Sequence, residues 1–188
     1  MDEFSPPFDD DIDSVFTFMD ELLIRIESSI QRCGQHIQYV MGDDRVPPWA
    51  YTIGMTDGLG HPEAVVFGLD PETAMGVLNH IAERVRTGHR FDIGRHTHEV
   101  VGELPVRLLA VPDRFWEQSS LFAMWMNYYG SLHHPERYPL PSAVQLVWPD
   151  AEGRFPWDRG HDRKFLGRQP ILTDLDPDDL AIGFEGAA

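Results

Sequence analysis

Three short stretches carry the side chains of this sequence that could do chemistry. His61-Pro62-Glu63 sets an imidazole and a carboxylate two residues apart. Such a pair could share a proton, tune each other's pKa or bind a metal together. In the structural alternative, His61 satisfies a backbone carbonyl and Glu63 caps a neighbouring amide. His96-Thr97-His98 would point both imidazoles to one face of an extended strand, with His133, His134 or Glu99 as further ligands for a transition metal. The spacing lacks the helical His-Glu-x-x-His pattern and no cysteine assists, so a metal is not favoured and no other cofactor is implied. Trp148-Pro149-Asp150 followed by Gly153-Arg154-Phe155-Pro156-Trp157 gathers two indoles, a carboxylate and a guanidinium. These read either as an aromatic wall with Asp150 and Arg154 at its polar ends, or as a flap folded back over the core.

Nucleophilic catalysis finds little support. Cys33 precedes a helix-ending glycine, no Gly-x-Ser-x-Gly elbow occurs, and Gly54 to Gly60 lacks the order of a dinucleotide loop. Whether the protein is an enzyme is left open, with His61 and Glu63 as the catalytic candidates.

The elements that must position these groups can be read from periodicity. Val15, Met19, Leu22, Ile26 and Ile30 form one face of a helix with Ser14 as its N-cap and Gly34 beyond its end. Strands follow at about 36–41, 49–55 and 64–69. In the second, Trp49, Tyr51, Ile53 and Met55 alternate with Ala50, Thr52 and Gly54. A face of such small residues admits either a packed helix or a ligand. Asp70-Pro71-Glu72 is a clear helix start, with Met75, Leu78, Ala82 and Val85 as the buried stripe and Asn79 beside it. Asn79 either bonds a neighbouring loop or reaches a pocket. Strands at 106–111 and 143–148 flank an aromatic helix around 115–129. The order predicts a single α+β domain, residues 14–172, with a mainly antiparallel sheet and about three helices packed on it. Residues 1–13 read as a flexible acidic arm and 173–188 as an acidic tail.

Several strings together resemble one family: Cys33-Gly34, Ala50-Tyr51-Thr52-Ile53-Gly54-Met55, His61-Pro62-Glu63, Val66-Phe67-Gly68-Leu69, Gln145 to Asp150, Gly153 to Trp157, and Gln169-Pro170. In this order and spacing, over roughly residues 32–171, the chain resembles the bacterial domain-of-unknown-function 4262 family. The resemblance implies a small, usually single-domain bacterial protein and carries no activity. Gln35 stands where that family has an aromatic.

Charge and composition narrow the partners. The 188 residues carry 15 basic and 31 acidic side chains, a formal charge of −16. Eight of the acids lie in residues 1–21 and five in 174–188, so the body is nearly balanced. Without a long run of cations to neutralise phosphates, nucleic acid is disfavoured. The single cysteine needs no oxidising compartment, the first residues lack a basic-then-apolar leader, and no apolar stretch is long enough to span a bilayer. A cytoplasmic protein is expected. It would bind a small molecule or a partner's peptide in a pocket formed by Tyr51, Thr52, His61, Glu63, Trp148, Asp150 and Trp157, with Asn79 and Arg154 nearby. An acid–base or metal-assisted enzyme and an immunity-type partner are the alternatives. Oligomeric state is left open.

Overall fold

The computed structural model describes residues 9–101, 104–117, 120–130 and 141–175. In chain order the elements are α1 (Asp9–Cys33), β1 (His36–Val40), β2 (Trp49–Ile53), α2 (Met55–Leu59), β3 (Glu63–Phe67), α3 (Pro71–Arg86), β4 (His96–Val101), β5 (Leu104–Val111), α4 (Arg114–Glu117), α5 (Ala123–Gly130) and β6 (Ala143–Val147). The strands form one sheet in the order β1-β2-β3-β6-β5-β4. Every neighbouring pair is antiparallel except β3 with β6. The fold is therefore α+β with a mainly antiparallel sheet, as the order of elements predicts.

Central strands β2, β3 and β6 are buried along their whole length because both sheet faces are covered. On one face, α3 packs through Ala74, Val77, Leu78, Ile81, Ala82 and Val85 onto Ala50, Ala64, Val66, Val106, Leu108, Val144 and Leu146. Of the small residues at β2, Ala50 thus receives α3, whereas Thr52 bonds Glu63 and Gly54 lies against Ile30 of α1. The buried stripe of α3 is centred on Leu78 and Ile81, which rotates Met75 out to 45% exposure. On the other face, Ile26 of α1 and Phe122, Trp125, Tyr128 and Tyr129 around α5 cover Trp49, Tyr51, Ile53, Val65 and Phe67. Further along that face, Phe155 packs on Leu109 and Val147, with Trp157 and Ile171 against them.

Three boundaries differ from the sequence expectation. Helix α1 begins at Asp9 rather than after Ser14. The aromatic helix is broken, with a 3-10 turn at Ser120–Phe122 between α4 and α5. Strand β4 and the five-residue α2 carry too little periodicity to be read from sequence.

The turn joining α1 to β1 crosses the edge of the sheet and brings the α1 face round to α3. Helix α2 lies so close to this turn that a Cβ on Gly58 would stand 2.5 Å from the Gly34 carbonyl oxygen. That is far inside contact distance, and both partners are backbone. Gly58→Ala should lower the unfolding free energy by about 2 kcal/mol through overpacking, measured as a fall in the urea midpoint. An unchanged midpoint would mean that α2 can slide away from the turn.

Candidate functional site

Glu63, the first residue of β3, is 2% exposed. The β2–β3 ladder stops at the Tyr51–Val65 pair. Beyond it Thr52 Oγ1 accepts the Ala64 amide at 2.8 Å and donates to Glu63 Oε2 at 2.6 Å. The Tyr129 hydroxyl donates to Oε1 at 2.6 Å, and the amides of Gly54 and Thr56 donate to the same oxygen at 3.1 and 3.0 Å. Gly54 has φ +97°, which a glycine adopts without strain and which turns its N–H toward the carboxylate. One side chain thus ties β2, α2, β3 and α5 together.

Burial pushes the Glu63 carboxyl upward, and the Thr52, Tyr129 and backbone donors recover only part of that shift. Burial and the adjacent Glu63 charge raise the Tyr129 phenol far above its ordinary range. His61 is buried and packs edge-on to Phe91, its Nδ1 lying 2.7 Å from the Pro62 carbonyl. Burial lowers its pKa, so the ring is neutral at physiological pH, with Nδ1–H donated to that carbonyl. The cavity bordered by Tyr51, Thr52, Glu63 and Trp125 holds about 10 Å³. That is room for one water at most.

The second sequence-predicted cluster lies elsewhere. In the parallel β3–β6 register Glu63 stands beside Ala143, whereas Trp148 follows the far end of β6. Five residues of extended chain separate the two by about 16 Å. Trp148 donates Nε1–H to the Phe67 carbonyl at 2.8 Å, at the opposite end of β3 from Glu63. The pocket expected from Tyr51, Thr52, His61, Glu63, Trp148, Asp150 and Trp157 is therefore divided between the two ends of the sheet. The expectation erred because strand ends look alike in sequence, while the parallel pairing puts these two at opposite poles.

Asp150 organises the far end. Its side chain is fully enclosed and accepts the amides of Glu152, Arg154 and Asp162 and the Arg154 Nε–H, at 2.9–3.0 Å. Burial pushes its carboxyl up, but these donors outweigh it and hold the pKa down at about 2. The Trp157 ring stacks parallel to Phe155 at 5.1 Å and lies under the Arg107 guanidinium. Two glutamines bind this segment back to β6. Gln169 accepts the Trp148 amide and donates to its carbonyl, and Gln145 does the same for Leu172 and Pro170. Gln145, Trp148, Asp150 and Gln169, all within the family-like strings, thus act as the fastening of one C-terminal strap.

His96 begins β4, paired with Arg107, and His98 lies in the same strand, with both side chains beyond what is described. His133 and His134 lie outside the described residues. Among the described residues no three histidine, cysteine or carboxylate side chains come together as a metal site.

A different concavity opens at the sheet edge. Arg32, Cys33, Gln35, Asn79, Glu83 and Arg86 border a groove of about 430 Å³, within the range of small-ligand sites. The end of α1 and its turn supply the first three residues, and one face of α3 supplies the rest. Arg86 Nη2 donates to the Cys33 carbonyl at 2.5 Å, fixing the turn against α3, and its other arm pairs with Glu83. Gln35 donates Nε2–H to Asn79 Oδ1 at 3.1 Å, while its Oε1, buried, has no donor. Asn79 thus meets a neighbouring loop and a groove at once, but not His61 or Trp148. Sequence reasoning missed Arg32, Gln35 and Arg86, because each is an ordinary polar position until α1 and α3 meet.

No curated protein and no solved structure matches the chain. Residues 29–162 match the family described as domain of unknown function DUF4262, which spans both glutamate and aspartate centres and the groove up to Arg86, and the chain belongs to that family.

Proposed function

We propose that this chain is a cytoplasmic bacterial binding protein whose ligand, a small molecule or a short peptide segment, sits in the groove between the α1–β1 turn and α3. One observation carries the reading. The groove offers about 430 Å³ lined by two guanidinium groups, two amides and a carboxylate, whereas the cavity beside Glu63 offers about 10 Å³. Among the described residues no helix is long and apolar enough to cross a membrane. The acid–base alternative, with His61 and Glu63 as proton-transfer groups, would need a substrate to reach a carboxylate that is 2% exposed and already holds four donors.

The test is a plug. Asn79 is exposed on α3, so Asn79→Trp places an indole in the groove without entering the core. Fragments that bind the wild-type protein, detected by thermal shift, should bind Asn79→Trp at least about tenfold more weakly, a loss of about 1.4 kcal/mol. Undiminished binding to Asn79→Trp, or no fragment bound by the wild type, would overturn the reading.

A further inference from the structure

We propose that the groove recognises an α-amido carboxylate, the chemistry shared by an N-acylated amino acid and the free C-terminus of a peptide; this rests on the groove being the binding site. Three groups supply the complement. Arg32, in the last turn of α1, has no acidic partner among the described residues, so its planar fork is available to a carboxylate. Gln35 is 4% exposed and lines the groove with Oε1 lacking a donor. A buried acceptor without a partner is unfavourable, and a turn of the enclosed Gln35 amide into the groove would let the N–H next to a ligand carboxylate satisfy it. Turning both the Gln35 and Asn79 amides around exchanges donor and acceptor but still leaves one polar atom of Gln35 unpaired, because they share a single bond. Asn79 Nδ2, with its Oδ1 engaged by Gln35, is left to donate to the ligand's acyl oxygen.

Charge narrows the class further. Arg32 and Arg86 against Glu83 leave the groove at +1 within a chain of −16. A monoanion matches that balance. A dianion such as phosphate would meet Glu83, the helix C-terminal dipole at Cys33 and the field of the whole chain.

Cys33 is the sole cysteine, is exposed and borders the groove, so its alkylation reports occupancy directly. N-Acetylalanine should slow reaction of the full-length protein with iodoacetamide by at least about threefold and saturably, while N-acetylalanine amide, of the same shape but uncharged, should not. Arg32→Gln should erase the protection. An alanine pentapeptide with a free C-terminus that protects as well assigns the natural ligand to a chain end; protection by the small acid alone assigns it to a metabolite. Equal protection by the amide would overturn the carboxylate assignment and leave the groove intact as a site. Binding of N-acetylalanine that leaves Cys33 unprotected would overturn both readings, and absence of any effect would overturn this one, the groove itself then being judged by Asn79→Trp.

Discussion

Replacing Glu63 by alanine should lower the unfolding free energy by about 4 kcal/mol, because it removes the shared acceptor of four donors at once. Those donors are the Thr52 and Tyr129 hydroxyls and the Gly54 and Thr56 amides. They come from β2, α5 and the start of α2, and only the Gly54 amide keeps another acceptor, the Tyr129 hydroxyl at 2.9 Å. For a chain of this size the change corresponds to roughly 10 °C in Tm. Glu63→Gln keeps the volume and one acceptor oxygen but sets an NH2 group against a donor, and should cost about half as much. Tyr129→Phe removes two hydrogen bonds, the one its hydroxyl donates to Glu63 and the one it accepts from the Gly54 amide, and should cost about 2 kcal/mol. Urea titrations of the three variants give the order directly. A Glu63→Ala protein of wild-type stability would show that the carboxylate is not a fastening, and would return it to consideration as a reactive group.

Asp150→Ala is the second large effect, about 3 kcal/mol, since it leaves the amides of Glu152, Arg154 and Asp162 and the Arg154 guanidinium without their shared acceptor. It also has a pH signature. The folded pKa is depressed to about 2 from an ordinary value of 3.8. A depressed carboxyl contributes stability that is fully present above its unfolded pKa and is lost as pH falls through the folded one. The wild-type protein should therefore lose this contribution between about pH 4 and pH 2, and Asp150→Asn should lack that part of the acid sensitivity. Parallel acid profiles for the two proteins would contradict the assignment. Glu63 acts with the opposite sign: its raised pKa gives no added stability on ionisation.

What was legible in the sequence was whatever depends on local pattern. Alternation in β2, the Asp70 cap whose side chain accepts the Thr73 amide, and the buried run of β3 all come from neighbours in the chain. The two centres were also legible as clusters: His61-Pro62-Glu63 and Trp148 to Trp157 are tightly bonded places. Their relation to one another was not, because it is fixed by the parallel pairing of β3 with β6, two strands some 80 residues apart. The groove was harder still. Gln35 and Asn79 are 44 positions apart, and Arg86 reaches the Cys33 carbonyl across 53. Nothing in either segment has a periodicity that points to the other, and only the wrap of the α1–β1 turn around the sheet edge brings them together.

Backbone amide chemical-shift mapping with a bound fragment tests the placement of the ligand site most directly. Perturbations should cluster at residues 32–35 and along the Asn79 to Arg86 face of α3, with residues 61–63 and 148–157 unmoved. A map centred on His61 and Glu63, or on Trp148 and Trp157, would contradict the account and put recognition back at one of the two ends of the sheet.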